Sequence, residues 1–284
     1  MEESTLKYWK DAGHVARRTL EAMKLELTPG KTFHEVIESA ERYIHRHGGK
    51  PAFPGTIAVN DLAAHFTTDH AINHVEGWDG EMILQKGDCV KIDFGVHIKG
   101  HLADNALTFE IGNGNEHTEQ IKAAKEARDA AIEMMHPGTP WYKVGQAAAQ
   151  PSLDAGFQPI RNLCGHQLKP WELHAGVSVP SYACGPDNQG FRGVVEEGGI
   201  YAVEPFNTTG SSGMIKNPEK QGQKDNSNPS EHKWLAILRS DTQPFPLLNV
   251  GHILCLRNRS LRPMKNHGKA SGEPLSRSGS ASDS

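Results

Sequence analysis

Four segments of the chain carry apolar residues at helical spacing, and they cover residues 4–26, 32–47, 118–135 and 141–156. A proline and a glycine divide each pair of segments, Pro29 and Gly30 in the first and Pro137 and Gly138 in the second. The second segment opens with a T-x-x-E capping box, the pattern of a helix N-terminus. These patterns predict two helix pairs, each followed by strand-like segments.

Two aspartates interrupt the apolar alternation of residues 91–111, which read KIDFGVHIKGHLADNALTFEI. The stretch is typical of a β-hairpin with a tight turn near residues 98–100. Asp93 and Asp104 then point to one face, either directly opposite each other or one diagonal step apart, depending on the register of the turn. Like charges across a strand pair are destabilising, so this face is either solvated or holds a cation or a shared proton. The apolar neighbours of Asp104 on that face argue against simple solvation.

The two halves of the chain repeat three features in the same order at nearly constant spacing. The matched pairs are Pro29 and Gly30 with Pro137 and Gly138, His65 with His174, and KGDCVKID (86–93) with EGGIYAVE (197–204). A repeat of this length indicates duplication of a half-molecule rather than a solenoid. It predicts two α/β halves related by a pseudo-twofold axis, and it makes Glu204 the counterpart of Asp93.

Composition and charge narrow the classes of function. The chain has 284 residues, 37% hydrophobic and 23% charged, which is ordinary for a globular protein. A formal net charge of −4 provides no general attraction to nucleic acid or anionic membranes. No apolar run reaches the length of a membrane span, and the N-terminal residues lack a signal-peptide pattern. The four cysteines have no C-x-x-C spacing, so we expect a reducing, cytoplasmic location.

Carboxylates and one histidine suggest a metal site. Asp93, Asp104 and Glu204 supply three carboxylates, and His166 follows a glycine shortly before the repeat-matched His174. An oxygen-rich set with a single imidazole suits two divalent ions bridged by carboxylates better than one structural zinc ion. Two such ions ~3.5–4 Å apart can hold a hydroxide, polarise a carbonyl group and bind an amine. The residues therefore predict a dinuclear metal centre.

Four motifs carry a resemblance to a known family: AFPGTIAVNDLAAHF, KIDFGVHIKGHLADNALTF, RNLCGHQLKPWELHAG and YAVEPFNTTG. With these motifs in this order, residues 5–212 resemble methionine aminopeptidases of the pita-bread metallopeptidase family, closest to the type II branch of archaea and eukaryotes. The resemblance implies an α/β pita-bread fold, in which two pseudo-twofold-related halves surround a central antiparallel sheet. That fold agrees with the internal repeat.

The resemblance also implies which residues hold metal. It implies a centre of two divalent ions (Co, Mn, Fe or Zn) whose ligands are Asp93, Asp104, His166 and Glu204. Asp93 matches the family's aspartate that serves one metal, and Asp104 matches the one that bridges both. The family uses a fifth ligand, a glutamate on a late strand, for which Glu231 is the candidate in this chain.

Substrate-contacting residues follow from the same resemblance. His65 and His174 match two catalytic histidines that hydrogen-bond the scissile amide and stabilise the tetrahedral intermediate. Phe53 matches an aromatic wall of the pocket for the methionine side chain, a contact suited to a polarisable thioether. Other histidines on predicted helices or loops are expected to be solvated, namely His14, His34, His45, His47 and His117.

The implied activity is removal of the initiator methionine from nascent proteins, by attack of a metal-bridging hydroxide on the Met-Xaa amide. The implied partners are nascent polypeptide N-termini and, transiently, the ribosome. We expect a monomer, with neither a membrane nor a specific nucleic acid as partner. Three alternatives stay open: a prolidase or Xaa-Pro aminopeptidase, a non-catalytic pita-bread protein that binds RNA or protein, and an enzyme inactivated by a truncated or frameshifted C-terminus.

The chain is expected to divide where its composition changes. Residues 1–216 form the predicted metallopeptidase domain, with halves at about 1–112 and 113–216. Residues 217–264 are a divergent, polar and turn-rich segment of uncertain fold, in which LLNVGHILCL predicts one strand or a short helix. The serine- and glycine-rich residues 265–284 are expected to be disordered.

Overall fold

A computed structural model of the protein describes residues 3–67, 82–112, 114–215, 248–250 and 253–256. Within these ranges the helices are α1 (Glu3–Glu26), α2 (Phe33–Arg46), α3 (Thr118–Met134) and α4 (Trp141–Asp154). The strands before α3 are β1 (Lys50–Pro51), β2 (Thr56–Val59), β3 (Cys89–Ile98) and β4 (His101–Glu110). The later strands are β5 (Gln158–Pro159), β6 (Gly165–Leu168), β7 (Ser178–Val179), β8 (Ile200–Val203), β9 (Phe206–Thr208), β10 (Leu248–Val250) and β11 (Ile253–Leu256). The α/β class and both predicted helix pairs are confirmed.

The capping box predicted at the start of α2 is present. Thr32 Oγ1 accepts a hydrogen bond from the Glu35 backbone N–H at 3.1 Å, and Glu35 Oε2 accepts one from the Thr32 backbone N–H at 2.8 Å. The buried face of this helix consists of Phe33, Val36, Ile37, Ala40 and Ile44. These residues share one apolar cluster with α1 and β3, so both helices lie on the same side of the sheet.

β3 and β4 form the predicted hairpin, whose two-residue turn consists of Lys99 and Gly100. Both residues have positive φ angles, 50° and 83°, as a type I′ turn requires. Asp104 pairs with Gly95, so Asp93 lies one diagonal step from Asp104 on the same face. The structure thus selects the second of the two registers that the sequence allows.

The sheets place β3 and β8 in central positions. β1 and β2 pair with successive parts of one edge of β3, and β4 occupies the other edge. Two further sheets have the strand orders β11-β8-β6-β7 and β10-β9-β5. β10 and β11 come from the segment for which the sequence predicts one strand or a short helix, and both are strands, paired antiparallel with β9 and β8. The described residues of this segment, 248–250 and 253–256, therefore contribute one strand to each of the two later sheets.

Alternate residues of the hairpin face two different environments. The side that faces α1 and α2 is apolar and includes Val90, Ile92, Phe94 and Val96. The opposite side of β3 carries Lys91, Asp93, Gly95 and His97. This second side is where the predicted ligands of the hairpin lie. Among the described residues, no helix is long and apolar enough to cross a membrane.

Three of the five histidines predicted to be solvated are exposed, namely His14, His34 and His45. His47 is half buried because its ring stacks on Tyr43, with the ring centroids 4.0 Å apart. The prediction for His117 is wrong: this residue is 4% exposed, and its Nε2 lies 3.3 Å from the carbonyl oxygen of Gly87. His117 precedes α3 and contacts the turn before β3, so a position at a helix end does not imply exposure.

Candidate metal centre

Three of the four predicted metal ligands converge between β4, β6 and the end of β8. Asp104 lies on β4, His166 lies on β6, and Glu204 directly follows β8. His166 Nε2 lies 3.3 Å from Asp104 Oδ2 and 2.9 Å from Glu204 Oε1. One ligand atom from each residue falls within 4.8 Å of the other two, an arrangement compatible with a shared metal ion.

The alternation of side chains along three strands explains this convergence. Asp104, His166 and Glu204 each stand two positions from a buried residue of one apolar cluster, these residues being Leu102, Leu168 and Ala202. Because that cluster fills the space between the strands, the polar side chains two positions away face the same interior. All three are accordingly buried, with 4%, 8% and 8% of their surfaces exposed.

Asp93, the fourth predicted ligand, lies on the same face of the hairpin but outside this group of three. It is half buried, and it lines a small cavity together with Lys91, Ala63 and Phe206. The structure therefore places Asp93 beside the group of three. Glu231, the candidate fifth ligand, lies outside the described residues.

Buried atoms in the group of three fit a divalent cation. Among the described residues, Asp104 Oδ1 and His166 Nδ1 have no hydrogen-bond partner. Burial alone lowers the pKa of His166, but the hydrogen bonds and charges of Asp104 and Glu204 outweigh this effect and raise the pKa to about 11. The site thus holds a proton strongly where two carboxylate oxygens meet one imidazole nitrogen. A hard divalent ion suits the same donors and can take the place of that proton.

The two histidines predicted to contact substrate lie beside this group. The ring of His174 meets that of His166 at 65°, with centroids 4.3 Å apart. Burial lowers the pKa of His174, and the charges of His166 and His65 lower it further against the opposing carboxylates. Because the charge of His65 contributes to the lowered pKa of His174, these two histidines, which the internal repeat pairs, lie near each other. His65 also has φ 64°, in the left-handed region, and strained backbone of this kind is concentrated at functional sites.

Two aromatic side chains cover the hairpin face that carries Asp93. Phe53, the predicted wall of the substrate pocket, lies against Gly95 between β1 and β2. Trp171 lies against His97, with ring centroids 5.1 Å apart, although 73% of its surface is exposed. Trp171 was not predicted from the sequence; it has φ 66° and lies on the loop before His174, which brings it to this face.

Lys91 is a buried residue of the site that motif matching did not identify. It is 3% exposed, and its Nζ donates a hydrogen bond to the Asn60 carbonyl oxygen at 2.9 Å. Burial lowers the pKa of Lys91 to about 8, against the raising effect of Cys89 and nearby acidic groups. The sequence feature that could have identified Lys91 is its position two residues before Asp93, because strand residues two apart have their side chains on the same face of β3.

The chain matches a protein-family model over most of its length. That model describes metallopeptidase family M24 and matches residues 7–228. The methionine aminopeptidase of Thermococcus onnurineus (strain NA1) is 37% identical over 207 residues, which cover 73% of this chain and 65% of that protein. The methionine aminopeptidase of Pyrococcus horikoshii is 38% identical over 209 residues, which cover 73% of this chain and 66% of that protein. The chain thus spans just under two thirds of the length of these relatives.

Solved structures share the fold at lower identity. A methionine aminopeptidase from Thermotoga maritima has a TM-score of 0.73 and 22% identity, covering 90% of this chain and 94% of that chain. A prolidase from Pyrococcus furiosus has a TM-score of 0.57 and 24% identity, covering 72% of this chain and 56% of that chain. These likenesses show the fold, which is the mixed α/β pita-bread fold. Because the family model covers residues 7–228, which include the group of Asp104, His166 and Glu204, the chain belongs to metallopeptidase family M24.

Proposed function

We propose that this protein is a metal-dependent aminopeptidase that removes the N-terminal methionine from nascent polypeptides. The observation that carries the proposal is the buried convergence of Asp104, His166 and Glu204, with His174 against the His166 ring. Two carboxylates and an imidazole bind hard divalent ions, and a neighbouring histidine can serve a reacting amide. Methionine aminopeptidases that are 37% and 38% identical to this chain favour methionine release among the activities of the family.

The proposed centre holds two divalent ions, with Co, Mn, Fe and Zn as candidates, and its ligands are Asp93, Asp104, His166 and Glu204. When bound, the ions would supply Lewis-acid polarisation of the scissile carbonyl and activation of water. Asp104 would hold metal together with both neighbours, since its Oδ2 lies 3.3 Å from His166 Nε2 and its strand position is one diagonal step from Asp93. Glu231 stays the proposed fifth ligand.

The chain's own side chains bind and orient the peptide in this proposal. The lowered pKa of His174 keeps its imidazole neutral near pH 7, so one ring nitrogen donates a proton in a hydrogen bond while the other accepts. His174 and His65 donate such hydrogen bonds to the scissile amide and to the negative charge that develops on its carbonyl oxygen. Phe53 provides the apolar contact for the methionine side chain.

The proposal includes a cellular setting and a domain division. We propose a cytoplasmic monomer that meets nascent chains with transient ribosome contact, and that has no membrane or specific nucleic acid as partner. The metallopeptidase domain is proposed to cover residues 1–216, in halves of about 1–112 and 113–216, ahead of the divergent segment 217–264 and the tail 265–284.

Peptide release and metal content together test the proposal. The chain is loaded with Mn²⁺ or Co²⁺, and amino-acid release is measured from Met-Gly-Met and from Ala-Pro. We expect methionine release from Met-Gly-Met, no hydrolysis of Ala-Pro, and two metal ions per chain. Asp104→Asn should lose both metal and release, whereas the matched control Asp129→Asn, at an exposed carboxylate on α3, should retain them.

The alternatives predict other results in the same assay. Hydrolysis of Ala-Pro without methionine release would support a prolidase or Xaa-Pro aminopeptidase. A folded chain that binds metal poorly and cleaves neither peptide would contradict the catalytic proposal, and would support a non-catalytic or inactivated member of the family.

A further inference from the structure

The edge of β3 that faces away from β4 is interrupted at Gly95. β1 pairs with His97 and Val96 of β3, and β2 pairs with β3 from Asp93 onward in the direction of Val90. Between these strands residues 52–55 leave the edge, and a backbone hydrogen bond from the Ala52 N–H to the Gly95 carbonyl oxygen, 3.0 Å long, connects them to β3. The following residue, Phe53, is therefore held at the level of Gly95.

The Phe53 ring occupies the space that a side chain at residue 95 would need. A Cβ atom on Gly95 would lie 2.4 Å from Phe53 Cε1, 2.6 Å from Phe53 Cδ1 and 2.8 Å from Ala52 Cβ. These separations are far below the van der Waals contact of two carbon atoms, about 3.5–4.0 Å. Gly95 does not have a left-handed φ, so the requirement at this position is for space rather than for backbone freedom.

The strand register fixes where this ring lies relative to the candidate metal centre. Gly95 pairs directly with Asp104, and its missing side chain would point to the same face as Asp93 and His97. Paired residues of adjacent antiparallel strands have Cα atoms about 4.5–5.5 Å apart. The Phe53 ring is thus an apolar wall on the carboxylate face, immediately beside the strand position that carries Asp104.

We propose that Gly95 determines the depth of the pocket for the N-terminal side chain of the substrate, by allowing the Phe53 ring to lie close against β3. Gly95 is a positioning residue that acts through Phe53. A methyl group at residue 95 would push the ring away from β3 and into the space beside Asp104, where the substrate side chain has to fit. The inference rests on the proposed function and deepens it, because it names the residue that selects long, unbranched side chains such as that of methionine.

The test compares peptides whose first residue differs in length. Met-Gly-Met is compared with norvaline-Gly-Met, whose first side chain is one heavy atom shorter. In Gly95→Ala we expect KM for the methionine peptide to rise about tenfold more than KM for the norvaline peptide, with little change in kcat. The matched control is Gly185→Ala, because a Cβ atom on this exposed glycine meets no atom within 4 Å. The control should leave both KM values unchanged.

A second background shows whether Gly95 acts through Phe53. In Phe53→Ala the ring is absent, so the added Gly95→Ala change should no longer alter the ratio of the two KM values. This double variant also removes the main steric conflict, which guards against a Gly95→Ala chain that fails to fold. An equal rise in KM for both peptides, or the same change of the ratio without the ring, would overturn the proposal.

A measurement on the metal-free protein reports the ring position without activity. In protein labelled with 4-fluorophenylalanine, the Phe53 resonance is identified by its loss in Phe53→Leu. It should shift in Gly95→Ala and stay in place in Gly185→Ala, and an unshifted resonance in Gly95→Ala would overturn the positioning role. If the variants show this shift pattern while wild-type protein releases no amino acid from either peptide, the proposed function is contradicted and the control of Phe53 by Gly95 is supported.

Discussion

Lys91 Nζ donates a hydrogen bond to the carbonyl oxygen of Asn60 at 2.9 Å, where β2 ends and the chain turns toward His65. Asn60 has φ 54°, in the left-handed region. Its side chain is fixed as well, since Oδ1 accepts from the Cys89 backbone N–H at 2.9 Å and Nδ2 donates to Asp88 Oδ1 at 2.9 Å. A buried cation and one asparagine thus anchor the start of the segment that carries a proposed catalytic histidine.

Substitutions of Asn60 test this anchor. Asn60→Ala removes two side-chain hydrogen bonds and leaves a Cβ atom in left-handed backbone, so we expect the free energy of unfolding to fall by about 2–3 kcal/mol. Asn60→Gly loses the same bonds but tolerates the backbone, so its cost should be smaller by up to about 1 kcal/mol. Urea denaturation of both variants measures the difference. A glycine variant less stable than the alanine variant would contradict the assigned role of the backbone conformation.

The lowered pKa of Lys91 predicts that its contribution to stability increases at alkaline pH. The folded pKa is about 8 and the ordinary value is 10.5, so between these values the unfolded chain binds the Lys91 proton while the folded chain has lost it. Stability therefore rises with pH through this window, by at most about 1.4 kcal/mol per pH unit.

Lys91→Met provides the reference for this pH dependence, since it lacks the titrating group. The free energy of unfolding is measured for both proteins from pH 7.5 to 10.5, and wild type minus variant should increase over that range. A difference that stays constant or decreases would show that burial does not penalise the charged form of Lys91.

Side-chain periodicity was sufficient to place two of the candidate ligands. Alternation along residues 91–111 put Asp93 and Asp104 on one face in either register, and the structure retains that face. The register itself depends on the backbone of Lys99 and Gly100, whose two positive φ angles a single sequence does not specify. The internal repeat paired His65 with His174, and both residues lie at the candidate centre.

Other features depend on contacts between distant segments, and periodicity does not reveal these. A lysine in a strand resembles a solvated residue, yet Lys91 is buried because the loop after β2 supplies the Asn60 carbonyl oxygen. Gly95 resembles a weak strand position until residues 52–55 bring Phe53 across it. His117 was predicted wrongly for the same reason, since the Gly87 turn that buries it is distant in sequence.

Removal of metal should lower the stability of the protein through the group of three. A divalent ion at 100 times its Kd stabilises the folded state by about 2.7 kcal/mol, so a chelator should lower Tm of the loaded protein accordingly. Glu204→Gln removes a ligand and should abolish this difference in Tm. The matched control is Glu126→Gln, an exposed glutamate on α3. An equal metal-dependent shift in Glu204→Gln would show that the ions bind elsewhere.

His174 should affect turnover more than metal content. Its ring lies against His166 but is not one of the three converging ligands, so His174→Gln should retain metal and lower kcat about 10²–10³-fold through loss of a hydrogen bond to the reacting amide. Methionine release and metal content are measured on the same samples, with His34→Gln as the control because His34 is an exposed histidine of α2. If His174→Gln instead loses metal in proportion to activity, His174 acts by holding His166 in place, and its proposed contact with the substrate is wrong.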